Sequence, residues 1–211
     1  MHRRNVKLIS ILRLAGAGLL ALQCLDAAAQ STAGDPAARM DHAAHMAMAA
    51  AGSPAMMDAT SDITVDFELV DRDGNAVADE DFRGQYVLLG FGFTHCEHIC
   101  PLMGLHMGQA VQAAEVPVTG IFISVDTERD TAASNDDYAH HFGESMLGLG
   151  GTIEQINAAA KNFKVSYAVT KTQDTYTVQH TANIFLIDPS GQLAEVFAFT
   201  ATPDEIVDAL R

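Results

Sequence analysis

Gln85–Phe93 reads QYVLLGFGF and runs directly into Thr94–Pro101, THCEHICP. The first stretch is a nearly continuous apolar run, the pattern of a central strand covered on both faces. The second ends in Pro101, which lacks a backbone N–H and is tolerated only in the first turn of a helix. A buried strand therefore gives way to a helix across a short loop, and Cys96 and Cys100 straddle the junction. Cys100 is expected at the helix N-terminus and Cys96 in the loop before it. Unpaired backbone N–H groups and the positive end of the helix dipole favour thiolates there.

Outward from this junction, Ile63 to Val70 has the alternation of a strand, and Asp73-Gly74-Asn75 turns the chain. Leu102 to Ala114 has helical spacing. Val118 to Val125 (VTGIFISV) is a second buried strand, and Asp130 to Phe142 and Thr152 to Phe163 read as helices, the first capped by Asp130 or Thr131. Tyr176 to His180 and Asn183 to Asp188 are strands. Pro189-Ser190-Gly191 is a turn, Leu193 to Phe197 pairs back as a hairpin strand, and Pro203 opens a terminal helix. This order predicts an α/β sandwich: a central mixed β-sheet flanked by helices, with a β-hairpin near the C-terminus.

The ends of the chain divide differently. His2, Arg3, Arg4 and Lys7 precede an apolar stretch, Leu14 to Leu25, and Ala27-Ala28-Ala29 supplies small residues for cleavage. Residues 1–29 thus have the organisation of a signal peptide, too short in its apolar part for the ~30 Å of a bilayer core. Cleavage would discard Cys24 and leave Cys96 and Cys100 in an oxidising compartment, most simply a bacterial periplasm. Residues 30–61 are Ala-rich and low in complexity, a disordered Met/His-rich linker carrying Met40, His42, His45, Met46, Met48, Met56 and Met57. Thioethers suit Cu(I) and imidazoles suit both copper oxidation states, so this arm is either a plain tether or a low-affinity copper collector. Residues 62–211 form one globular domain.

With 27 acidic against 12 basic residues and a net charge of -15, the chain is no nucleic-acid binder, because phosphate contacts need clustered Lys and Arg. Three cysteines are too few for a disulfide-stapled mini-domain. A disulfide closing the short loop from Cys96 to Cys100 would add only about 2 kcal/mol, which a large core scarcely needs. Structural zinc usually takes four Cys or His ligands in two short pairs, and one such pair is present. Incidental burial fits poorly with His95 and His98 alongside. A functional dithiol, either a metal site or a redox pair, fits best. Two thiolates would select a soft ion, Cu(I), which accepts low coordination numbers.

Phe91-Gly92-Phe93-Thr94-His95-Cys96, the CxxxC-Pro spacing, Ile123-Ser124-Val125-Asp126 with Glu128-Arg129-Asp130-Thr131, and Tyr176-Thr177-Val178-Gln179-His180 with Leu186-Ile187-Asp188-Pro189 together resemble the Sco/SenC family. These are thioredoxin-like copper chaperones of cytochrome c oxidase assembly. The resemblance runs from about Ile63 to the C-terminus and implies a thioredoxin-like fold, with Cys96, Cys100 and His180 as copper ligands. The residues alone would make His180 an edge or core imidazole. The chain departs from the family pattern in having Glu97 and His98 between its cysteines, Thr127 for a usual Pro, and Gln179 for an Asp before the His. His98 is therefore either an accessory ligand or an exposed loop side chain, with Asp126 and Gln179 as candidate supports of the site. Met103, His106 and Met107 are core filling or a lining of the copper's exit, and His140-His141 complement a helix C-terminus.

Two functions compete. The first is a periplasmic metallochaperone, not an enzyme, that holds Cu(I), with Cu(II) as a second state. It would deliver the ion to subunit II of cytochrome c oxidase or a similar acceptor, with another periplasmic copper chaperone or a thiol reductase as further partner. The second is a thiol-disulfide reductase using a redox disulfide between Cys96 and Cys100. The three-residue spacer and the absence of a Pro near His180 argue against the second. The lack of Trp argues against a thiol peroxidase.

Overall fold

The computed structural model describes residues 62–173 and 175–211. The expected signal peptide, the expected linker and its residues Met40, His42, His45, Met46 and Met48 lie outside the described residues.

The centre is a five-stranded sheet in the order β5-β4-β3-β8-β9. Strand β3 (Tyr86–Gly92) runs parallel to β4 (Val118–Ser124), which runs parallel to β5 (Met146–Leu149). On the other side of β3, β8 (Asn183–Ile187) is antiparallel, and β9 (Leu193–Ala198) returns beside it as the expected hairpin. The apolar runs of the sequence fall where two-sided burial demands them: Leu88, Leu89 and Phe91 of β3, Ile121 to Ile123 of β4 and Ile184 to Ile187 of β8 are all buried.

Among the described residues four α-helices accompany the sheet: α1 (Ile99–Ala113), α2 (Ala132–His140), α3 (Ile153–Asn162) and α4 (Pro203–Asp208). Three of them start with a threonine whose hydroxyl accepts from a backbone N–H three residues on, namely Thr131, Thr152 and Thr202. Thr131, and not Asp130, is thus the cap of α2, which frees Asp130 for the site. Helix α1 begins earlier than expected, so Pro101 is its third residue.

Two ribbons stand outside the sheet. Of Ile63 to Val70, only β1 (Glu68–Val70) is paired, with β2 (Ala76–Ala78) across the Gly74 turn. The second is β6 (Tyr167–Lys171) with β7 (Tyr176–His180). The sequence showed β7 but not β6. The ribbon pairs with neither β3 nor β8, and Thr181 and Ala182 join it directly to β8.

Candidate metal centre

Cys100 is the second residue of α1 and wholly buried, its sulfur lying against the end of β3. That approach requires glycine at 92, where a Cβ would sit 2.9 Å from Sγ of Cys100 and still closer to the Phe122 ring. Cys96 lies in the preceding loop, partly exposed, and its Sγ accepts from the backbone N–H of Cys100 at 3.4 Å. Both are free cysteines.

His180 ends β7 on the same face as Tyr176 and Val178. Its Nε2 is 3.4 Å from Sγ of Cys100, and its ring stands edge-on to Phe93 with centroids 5.8 Å apart. Nδ1 lies 3.0 Å from the carbonyl oxygen of Thr181. A carbonyl only accepts, so Nδ1 carries the proton, and Nε2 of the neutral ring offers a lone pair. Burial pushes the His180 pKa below the ordinary imidazole value, with the Thr181 carbonyl opposing weakly. The ring is therefore neutral at pH 7, and the Cys100 thiol donates to it.

The two thiols are unequal: the helix end, expected to favour thiolates at this junction, does so at Cys96 and not at Cys100. Burial pushes the Cys100 thiol well up, and the hydrogen bond with Cys96 adds to this. Burial also opposes ionisation of Cys96. However, the N–H groups of Cys100 and His98, the Cys100 side chain and the N–H of Ile99 outweigh it, and the Cys96 pKa is lowered. The helix end acts on the sulfur in front of it, while the sulfur inside its first turn is sunk in the core.

The loop carrying Cys96 is anchored by Asp130. Its carboxylate accepts from the N–H and hydroxyl of Thr94 at 2.8 and 2.6 Å and from the Ser124 hydroxyl at 2.6 Å. Asp126, fully buried, accepts from Nε of Arg129 and from the Tyr176 hydroxyl, both at 2.5 Å. It thus supports the site through the ribbon and not by touching His180.

Several expected contributors are elsewhere. Gln179 is exposed on the opposite face of β7, as strand alternation requires, so it does not hold the imidazole; the Thr181 carbonyl does. His98 is an exposed N-cap whose side chain makes no capping bond, and it is not drawn to the sulfurs. Met103 and Met107 are core residues, and Nδ1 of His106 donates to the Ala201 carbonyl at 2.7 Å. Nδ1 of His140 and of His141 donates to the carbonyls of Asp136 and Asp137 at the end of α2. Among the described residues no three or more His, Cys, Asp or Glu side chains are gathered closely enough to cage an ion. Cys96, Cys100 and His180 adjoin one another without being closed around a point. Sequence reasoning missed the roles of Phe93, Thr181 and the Arg129–Tyr176 contact; Phe93, Arg129 and Tyr176 all left a trace, in the FGFTHC, ERD and YTVQH motifs, while Thr181 left none.

The SCO1/SenC family profile matches residues 55–211. The chain belongs to the SCO1/SenC family. It is 39% identical over 153 residues to the mitochondrial SCO2 homolog of Bos taurus, covering 69% of this chain and 58% of that protein. It spans about three fifths of the length of the curated relatives it matches first. ScoI of Bradyrhizobium japonicum, solved with copper bound, superposes with a TM-score of 0.63 at 35% identity, over 70% of this chain and 97% of that one. BsSco is described as a member of the Sco family of cytochrome c oxidase assembly proteins in which a disulfide switch was identified. It superposes with a TM-score of 0.55 at 29% identity, over 71% and 92% of the two chains. The thioredoxin-like fold expected from the sequence is that of these SCO1/SenC structures.

Proposed function

We propose that this SCO1/SenC protein is an exported, periplasmic copper carrier. It takes Cu(I) on the sulfurs of Cys96 and Cys100 and on Nε2 of His180. It then passes the ion to an acceptor protein, most directly the dinuclear copper centre of cytochrome c oxidase in its subunit II. The observation that carries the reading is the 3.4 Å contact between Sγ of Cys100 and an Nε2 whose lone pair is free of its own proton. Two soft sulfurs and one imidazole suit Cu(I), and low coordination leaves room for an incoming ligand during transfer. Cys96, ionised more readily and partly exposed, is the thiolate that meets the ion first. Loss of the Cys100 proton then completes the dithiolate. The Met/His arm from Met40 to Met57 acts as a weaker collecting site, and Cu(II) is the second oxidation state the set would hold.

A second reading, thiol-disulfide reductase, is favoured by one observation: an exposed sulfur of lowered pKa beside a buried partner is how a dithiol attacks and then resolves a mixed disulfide. Anaerobic titration of the reduced chain with Cu(I) against a chelator separates the readings. The copper reading expects one tightly held ion, lost on Cys96→Ser and weakened on His180→Ala, plus weaker sites that vanish when residues 40–57 are deleted. Catalytic turnover of disulfides, with copper held no better than by Cys96→Ser, would establish the reductase instead. Fractionation of the producing cells, with N-terminal sequencing of the product, tests export and cleavage after Ala29.

A further inference from the structure

The ribbon carrying His180 hydrogen-bonds through its backbone to none of the strands flanking the cysteines. Its placement against the Cys96–Cys100 loop therefore depends on side chains, and those are concentrated at Tyr176. The Tyr176 hydroxyl donates to one oxygen of the buried Asp126 carboxylate, and Nε of Arg129 donates to the other, each at 2.5 Å. The Arg129 guanidinium lies 3.9 Å from the centroid of the Tyr176 ring and 5.8 Å from that of Phe93. Phe93 in turn is the ring against which His180 stands edge-on. Lys171 on β6 adds an ion pair to Glu128, beside Arg129.

We propose that Arg129 is a positioning residue for His180: fixed by Asp126 and stacked between Tyr176 and Phe93, it holds the imidazole against the sulfur of Cys100. The inference rests on the copper reading above and adds to it the part that orients the third ligand. A guanidinium suits the place because one planar group bonds the carboxylate edge-on and offers its faces to two rings, which an ammonium cannot do. The carboxylate is fully buried, so its two donors are held firmly. Tyr176 and His180 share one face of β7, so whatever fixes the first ring fixes the second.

The test uses the full chain and two readouts. In Cu(I) competition, Arg129→Gln is expected to lower affinity about tenfold, in line with the loss of other groups that orient a ligand. The same substitution in a His180→Ala background is expected to change affinity less than twofold, because nothing is left to position. Arg129→Lys recovers less than half of the logarithmic loss, and Tyr176→Ala, which removes the same platform, matches Arg129→Gln and carries the test should that variant not fold. The second readout needs no copper. The NOEs between the His180 and Phe93 rings in the apo chain are expected to be strong in the wild type and weakened or lost in Arg129→Gln, because the edge-on contact is what the guanidinium holds. Wild-type affinity in both Arg129→Gln and Tyr176→Ala, an equal loss with and without His180, or unchanged His180–Phe93 NOEs would overturn the inference. A wild type that holds no copper would overturn the copper reading, while the His180–Phe93 NOEs still decide the role of Arg129.

Discussion

Sγ of Cys100 and Nε2 of His180 lie 3.4 Å apart although 80 residues separate them in the chain. With the imidazole neutral and its Nδ1 proton committed to Thr181, the hydrogen between them belongs to the thiol. The proton thus occupies the place between sulfur and nitrogen that a metal ion would take.

Competition between proton and copper sets the pH dependence. The Cys100 pKa is raised, so the thiol is protonated throughout the neutral range and must lose its proton to bind. Apparent Cu(I) affinity should rise with pH between roughly pH 6 and 8, by at least about tenfold per unit because the Cys100 proton is displaced. Chelator competition at several pH values measures the slope, and a flat profile would remove Cys100 from the ligand set.

Alkylation should distinguish the two sulfurs. Cys96 is partly exposed with a lowered pKa, whereas Cys100 is buried with a raised one. In the reduced apo chain at pH 7, iodoacetamide is expected to label Cys96 at least about ten times faster, because the thiolate is the nucleophile. Peptide mapping of timed aliquots reads the ratio, and equal rates would contradict the asymmetry.

Gly92→Ala tests the close approach of α1 to β3. Its new methyl would meet the Phe122 ring and Sγ of Cys100. Over-packing of this kind typically destabilises by about 1–3 kcal/mol. Urea unfolding of the reduced apo chain should show a loss in that range, and no loss would mean that the helix end yields easily.

Asp130→Ala tests the anchor of the Cys96 loop. Three hydrogen bonds disappear, and the Thr94 N–H loses its acceptor. A stability loss of about 1–3 kcal/mol is expected, with exchange of the Thr94 amide quickened at least about tenfold. Unchanged exchange at Thr94 would show that the loop is held by other means.

Much of this architecture is visible in the sequence where a single physical cause dominates. Strands β3, β4 and β8 are buried on both faces and therefore read as apolar runs, and Thr131, Thr152 and Pro203 announce helices because caps and first-turn prolines are local requirements. Strands β5 and β6 are not visible. MLGL is too short to show a period, and YAVTK lies in a ribbon with little burial to imprint one. The dithiol follows from its place between strand and helix, but His180 joined it only through a motif shared with a family. The long-range contacts have no local signature at all: the bond from Tyr176 to Asp126 spans 50 residues, and the unequal thiols depend on which sulfur the fold submerges.

The Thr181 carbonyl that fixes the His180 tautomer belongs to the main chain, so no exchange of side chain at 181 deletes it. Exchanges at positions 179 and 181 accordingly leave unchanged which ring nitrogen faces the sulfur. The glutamine at 179, exposed on the far face of the strand, is compatible with this arrangement whatever its side chain bonds.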